Sequence, residues 1–381
     1  RIKIGFMYPD SGSMEVEARS FIAGFNLFFD KNGPFPVNVF KKPYQLNSDE
    51  MGESLKDWIK DDKFRLIVLF ADVENSEKAV KMCASAKSIL FIANRCVKLV
   101  SGEVCEPNVF RVSANNYVLS EPLAPWAVQN MGTTVFITGL DDLDGNEQGD
   151  FFAFGFERAG GGFADRVMSD GSPASIGSVL NAIANSDADF VFACFRDEIA
   201  GKFLKAFNAG SSKMKKGIVG PETLTSFELK KDFGSETIVN IPTVTNVINP
   251  IEIASKIGRF DGATPLSISR VAEGYDLGQI VGRMAKENFL KFEDFDSCLK
   301  FISESKFDGF RGSFAFDKNH NAVIDSWVTK WETKSGELSQ KVLVSLGPSA
   351  SLDFGCGRVG YPSRQEPGPS DDEGIWDEGQ H

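Results

Sequence analysis

The chain has 381 residues, 42% hydrophobic and 25% charged, the makeup of a globular protein with room for two or three cores. No apolar run approaches the roughly 20 residues of a membrane-spanning helix, which argues against direct membrane insertion. A net charge of −12 lacks the basic face that nucleic acid requires.

The opening run R-I-K-I-G-F-M-Y-P-D-S-G-S-M predicts a short strand over residues 2–7 that delivers a Pro-Asp-Ser-Gly-Ser turn into a helix reaching about Asn32. Its small hydroxyl residues and free backbone N–H groups then lie at the carboxyl end of a parallel strand, where open α/β sheets bind ligands. Residues 64–70 (F-R-L-I-V-L-F) read as a buried strand, 76–87 as a helix and 88–92 as the next strand. A second series opens with a strand at 133–138 and a helix at 149–159. A strand at 190–195, a helix at 198–209 and the strand pair Ile218 and Val219 follow. Strands alternating with helices mean parallel sheets built from βαβ units, and two series mean two doubly wound α/β lobes. Beyond residue 251 the pattern changes to long helices at 265–291 and 296–305, then to a turn and paired strands ending near Glu332. The stretch after Gly347 is rich in Gly, Pro, Asp and Glu and reads as extended or disordered, with Phe354, Tyr361 and Trp376 as candidates to pin it to the surface.

Cys83 and Cys194 sit in apolar stretches and read as buried thiols. Cys96 and Cys105 bracket a short loop that a disulfide can close, and such a bridge would suit an oxidising compartment. Whether they are bridged stays open at this point. The only histidines are His320 and His381, whose spacing to cysteine does not match a zinc site. The runs D-D-L-D-G-N-E and D-K-N-H-N-A-V-I-D are rich in oxygen ligands but lack EF-hand spacing, so structural turns are expected and no metal. No Gly-x-Gly-x-x-Gly follows the first strand, no Walker lysine loop exists, and A-G-G-G-F at 159–163 follows a helix. With His320 in a turn and His381 at the end, a Ser-His-Asp triad has no base, and no enzyme is expected.

Five segments, in order, carry a resemblance: I-K-I-G-F-M-Y-P-D-S-G-S, C-E-P-N-V-F-R-V-S-A-N-N-Y at 105–117, V-G-P-E-T-L-T at 219–225, A-E-G-Y-D-L-G-Q at 272–279 and F-D-G-F-R-G-S-F-A-F-D-K-N-H-N at 307–321. Over residues 2–332 the chain resembles the type I periplasmic solute-binding proteins of ABC transporters, in the branch of leucine/isoleucine/valine-binding and aromatic-acid receptors. The resemblance implies two parallel-sheet lobes joined by a three-strand hinge, with crossings near 112–116, 243–247 and 319–325. Residues 1–114 and 248–320 then form the first lobe, 115–247 and 321–347 the second, and 348–381 an acidic tail. It also implies a periplasmic receptor, its leader absent from this sequence, that closes by its hinge on a small-molecule solute and delivers it to a membrane permease without a cofactor.

Carried over to this sequence, the first binding loop is residues 10–14, giving Ser11 and Ser13. The second falls on 71–76, where Asp72 and Glu74 replace the family's small hydroxyl residues. The third falls on 93–96, with Asn94 matching and Arg95 added. In the second lobe the loop at 140–146 has Asp142 and Asp144 where many relatives have Tyr. Arg196 and Asp197 follow Phe195, and Glu222 matches the residue that holds the ligand ammonium in leucine-binding relatives. Phe70 and Phe195 end strands and are candidates for an apolar wall. The excess of carboxylates on these loops favours an amino acid or other amine-bearing solute. Two alternatives remain: a sensor of the same fold that signals to a partner protein, and a protein-binding module whose cleft no longer closes on a solute.

Overall fold

The computed structural model describes residues 2–60, 64–102, 104–210, 216–257, 267–349 and Cys356. In chain order the first elements are β1 (Ile2–Pro9), α1 (Ser13–Asn32), β2 (Val37–Tyr44), α2 (Glu50–Lys60), β3 (Leu66–Leu69), α3 (Val73–Ala84), β4 (Ile89–Ile92), the single turn α4 (Lys98–Ser101) and β5 (Val109–Phe110). The middle series is α5 (Leu123–Asn130), β6 (Thr134–Gly139), α6 (Leu143–Arg158), β7 (Gly162–Arg166), α7 (Pro173–Asn185), β8 (Phe190–Cys194), α8 (Asp197–Ala209), β9 (Gly217–Pro221), α9 (Lys230–Phe233) and β10 (Thr243–Thr245). Then come α10 (Pro250–Ile257), α11 (Ile268–Lys286), α12 (Phe295–Glu304), β11 (Lys306–Gly309), β12 (Gly312–Phe316), β13 (Ala322–Val323), β14 (Asp325–Lys334) and β15 (Glu337–Pro348).

The first lobe is a five-stranded parallel sheet in the order β2-β1-β3-β4-β5. Strands β3 and β4 read as unbroken apolar runs because both faces are covered. Leu66 and Val68 of β3 pack with Phe21, Phe25 and Ile280 on one side, while Ile67 and Leu69 pack with Met51, Leu55 and Val80 on the other. On the first side α1 and α11 touch backbone to backbone. A Cβ at Gly24 would lie 1.8 Å from Val271 O, and one at Gly274 would lie 1.8 Å from Phe21 O, so glycine is required at both. The antiparallel sheet β11-β12-β13 completes this core through Phe307, Phe314 and Phe316.

The second lobe is a seven-stranded sheet in the order β15-β14-β10-β9-β8-β6-β7. Strands β6 to β10 pair in parallel, whereas β14 and β15 close the edge antiparallel. The chain leaves the first sheet after Phe110, leaves the second after Thr245, and returns to the second at Asp325.

Several local expectations change. The helix expected at 149–159 begins six residues earlier, because Asp142 accepts a hydrogen bond from Gly145 N (2.9 Å) and caps α6, turning D-L-D-G-N into helix. Asp72 caps α3 in the same way through Asn75 N at 2.8 Å, so Glu74 and Ser76 are helical. Strand β15, polar and apolar without clean alternation, was not expected. The Cys96–Cys105 bridge does not form: Cys105 pairs with Cys356, 251 residues away, at a Cα separation of 5.7 Å. Cys96 is instead a buried thiol in the first lobe's core. The start of the helix expected at 265–291 and, apart from Pro348, Ser349 and Cys356, the acidic tail with Phe354, Tyr361 and Trp376 lie outside the described residues.

Candidate functional site

The loops after β1, β3 and β4 of the first lobe face those after β6, β8 and β9 of the second, all at carboxyl ends of parallel strands. Between them lies a cleft of about 620 Å³. A smaller cavity of about 60 Å³ adjoins it and shares Arg95, Thr223, Ser226, Glu228 and Ser267 as lining.

Of the residues expected from the sequence, Ser13, Asp72, Asn94, Arg95, Asp142, Asp144 and Arg196 line the cleft, as does Phe70. Glu222 lines the smaller cavity, where its carboxylate accepts a hydrogen bond from Thr245 Oγ1. Three residues are not brought to the cleft. Ser11 is exposed and donates to Asp10 Oδ1 (3.1 Å). Glu74 faces outward from the first turn of α3, beside Glu77 and Lys78. Phe195 is fully buried in the second lobe, its ring stacked on Phe203 at 4.3 Å, because the position after β8 points into the core.

Many of the polar groups are already engaged. Asn94 Nδ2 donates to Ala71 O (2.9 Å) and its Oδ1 accepts from Cys96 N (2.8 Å), tying two first-lobe loops together. Arg196 grips Asp142 with two nitrogens, Nη1 lying 3.3 Å from Oδ1. Arg270, at the start of α11, is saturated: Glu17 takes its Nε at 2.8 Å, while Ala93 O, Ser113 Oγ and Glu273 take Nη1 at 2.8–3.0 Å. Arg95 differs. Its side chain is 12% exposed, its Nη2 stays 4.0 Å from Glu273, and its buried Nε has no partner among the described residues. It is the guanidinium with donor capacity left for a ligand carboxylate.

Eight carboxylates line the cleft (Glu17, Asp72, Asp142, Asp144, Asp197, Glu198, Glu228 and Asp232) against three guanidiniums (Arg95, Arg196 and Arg270). Two of those guanidiniums are committed to Asp142 and Glu17. Burial pushes the Glu228 carboxyl up to about 7, against the opposing N–H of Ile268 and with Glu222 and Asp197 adding to the rise. Burial also raises Asp197, helped by Glu17 and opposed by Arg196. Asp197 holds a left-handed φ of 53° at the head of α8, a conformation that Asp tolerates better than most residues. Apolar surface comes from Met14, Val16, Phe70, Leu143, Leu229 and Phe233. Among the described residues the site thus offers one guanidinium with an unpaired nitrogen, a surplus of anionic acceptors and a greasy wall.

Among the described residues no group of three or more His, Cys, Asp or Glu side chains is placed to hold a metal. Both oxygen-rich runs have local work: Asp142 caps α6, and Asp317 accepts from Asn319 N and Asn321 N at 2.8 and 2.9 Å. Also among the described residues, no helix is long and apolar enough to cross a membrane.

Sequence reasoning missed Glu17, Asn116, Gln148, Glu228 and Arg270 as cleft residues. Glu17 and Arg270 meet across 253 positions, and each alone looks like a solvated charge on a helix. Glu228 sits in the charged run E-L-K-K-D, whose composition signals only surface. A helical-wheel reading of α1 and α11 would have placed Glu17 and Arg270 beside their buried faces, which was the one usable signal.

The model of a family described as periplasmic binding protein matches residues 1–230. No curated protein sequence matches significantly. Among solved structures, an ABC transporter substrate-binding protein from Sphaerobacter thermophilus superposes with a TM-score of 0.83 at 19% identity, covering 93% of this chain and 100% of that one. A solute-binding protein of an ABC transporter from Rhodopseudomonas palustris BisB5, in complex with 3,4-dihydroxybenzoic acid, gives 0.78 at 20% identity and covers 92% and 98%. The leucine-binding protein LivK of Thermotoga maritima gives 0.72 at 17% identity and covers 90% and 98%. At these identities the superpositions speak for the fold, and the family match carries the assignment. With two doubly wound lobes facing each other across a ligand-sized cleft, the chain belongs to the periplasmic binding protein family, whose members bind solutes and are not enzymes.

Proposed function

We propose that this protein is the periplasmic receptor of an ABC importer, capturing an amino acid or related amine-bearing solute in the interlobe cleft and presenting it to a membrane permease. The observation that carries the ligand class is the charge inventory. Among the described residues, five of the eight cleft carboxylates have no cationic side chain within hydrogen-bonding distance, Glu17, Asp142 and Glu198 being paired with Arg270, Arg196 and Lys202, while the buried Nε of Arg95 has no partner. A zwitterion answers both needs: its carboxylate meets Arg95 and its ammonium meets the acid-rich lining, where Glu228 borders both cavities, Asp197 the larger and Glu222 the smaller. The apolar lining favours an amino acid with a hydrocarbon or aromatic side chain. The Cys105–Cys356 disulfide fits an oxidising compartment.

A second reading, an aromatic acid without an amine, draws on Phe70 and Phe233, which line the same cleft as Arg95, and on the ligand named for the Rhodopseudomonas palustris structure. Thermal-shift screening of unfolded and refolded protein against amino acids, amines and benzoates separates the two. At about 100 times Kd a true ligand raises Tm by about 5 °C or more. Shifts with amino acids and not with benzoates support the proposal, and the reverse pattern replaces it with the second reading. A panel without any shift points to the protein-binding module.

A further inference from the structure

Two carboxylates of the second lobe reach across to backbone N–H groups of the first. Glu147, on α6, accepts from Val97 N with both oxygens, at 3.1 and 3.2 Å. Val97 opens the turn α4 in the first lobe and its N–H has no helical partner. Asn116, in the segment where the chain passes between sheets, donates to Glu147 Oε2 (2.6 Å) and Asp144 Oδ1 (2.8 Å), and Gln148 Nε2 donates back to Asn116 Oδ1 (3.2 Å). At a separate point Glu228, after β9, accepts from Ile268 N at 2.6 Å. Ile268 is the first residue of the 19-residue helix α11 of the first lobe, and that N–H too lacks an intrahelical partner.

Both contacts place a carboxyl oxygen on a backbone N–H that no helical carbonyl takes up. Each bridges the two lobes and neither lies in the interior of one. Asn116, Asp144 and Gln148, beside the first contact, and Glu228 itself line the cleft. We infer that Glu147 and Glu228 are closure latches: positioning residues that hold the second lobe against the first by bonding Val97 N and Ile268 N, and so set how readily the cleft closes. This role does not depend on which solute the cleft takes.

The test needs no ligand. Small-angle scattering of the refolded full chain is compared for wild type, E147A, E228A, the double alanine variant, E147Q and E228Q, with Tm measured on each. The glutamines keep a carbonyl acceptor of the same reach and serve as controls for folding. The alanine variants are expected to show a larger radius of gyration than wild type, largest for the double variant, with Tm little changed because the lobe cores are intact. The glutamine variants are expected to keep the wild-type radius of gyration. Alanine variants with the wild-type curve, glutamine variants that open as far as alanine, or a wild-type curve that fits only a wider lobe separation would each overturn the inference. A ligand screen without hits would leave it standing, so its failure and that of the proposed function are distinguishable.

Discussion

Arg95 and Arg270 both face Glu273, yet only Arg270 is bonded to it: Nη1 of Arg270 lies 2.8 Å from Oε2, whereas Nη2 of Arg95 stays 4.0 Å from Oε1. The two arginines divide the labour. Arg270 neutralises buried acid within the first lobe, and Glu273 is held down to about 2 because the Arg270 guanidinium, followed by Arg95 and Arg311, outweighs the cost of its burial. Arg95 is left to face the cleft.

Replacing Arg95 should therefore separate binding from stability. R95A is expected to weaken ligand binding by about 10- to 100-fold, the worth of a charge-assisted hydrogen bond, and to leave Tm within a few degrees of wild type. Calorimetric titration together with a thermal melt checks both. R95K should recover only part of the affinity, since a point charge does not reproduce the guanidinium fork.

Arg270 should behave in the opposite way. R270M removes the partner of both Glu17 and Glu273 and strands buried charge, with an expected loss of about 3–5 kcal/mol of unfolding free energy. Urea denaturation measures it. A loss under about 1 kcal/mol would mean that the lobe relaxes around the vacancy.

Glu228 makes stability depend on pH with a definite sign. Its carboxyl is raised from 4.5 to about 7, first by burial, so the folded protein binds more protons than the unfolded chain between those values. That contribution is present at low pH and is lost as the pH rises through about 7. E228Q, neutral at every pH, is expected to gain Tm relative to wild type between pH 5 and pH 8, by about 3–6 °C. A constant offset between the two proteins across that range would contradict the assignment.

The fold was legible because buried parallel strands announce themselves: F-R-L-I-V-L-F and F-V-F-A-C read as strands with no help from context, and β3 and β8 are where those runs predict. The strand-end loops followed, and with them Asp72, Asn94, Arg95, Asp142 and Arg196. What failed is what depends on direction or distance. Glu74 lies in a correctly placed loop, but the Asp72 cap winds it onto the outer face of a helix. Phe195 ends the right strand, but the pleat turns it inward. The partner of Cys105 lies 251 residues off, and no local spacing encodes that pairing.

The disulfide should be a large single contribution to stability. It closes a loop of 251 residues, so reduction or C105S is expected to cost about 2–5 kcal/mol. Urea unfolding with and without reductant measures this. The four free cysteines serve as an internal control, since burial pushes the Cys83, Cys96 and Cys194 thiols up to about 12 and Cys298 up to about 11 and keeps them unreactive.

The most direct measurement of the central claim compares an amino acid with its own deaminated acid on the refolded protein: leucine against 4-methylpentanoate, and phenylalanine against 3-phenylpropanoate, by isothermal titration. Each pair shares its carboxylate and its hydrocarbon, so only the ammonium is under test. The acid-rich cleft predicts that the amino acid binds at least about 100-fold more tightly, since the deaminated partner brings a second anion to an acidic lining with no ammonium to offset it. Equal or tighter binding of the deaminated acid would contradict the account and reassign the cleft to simple carboxylates held by Arg95.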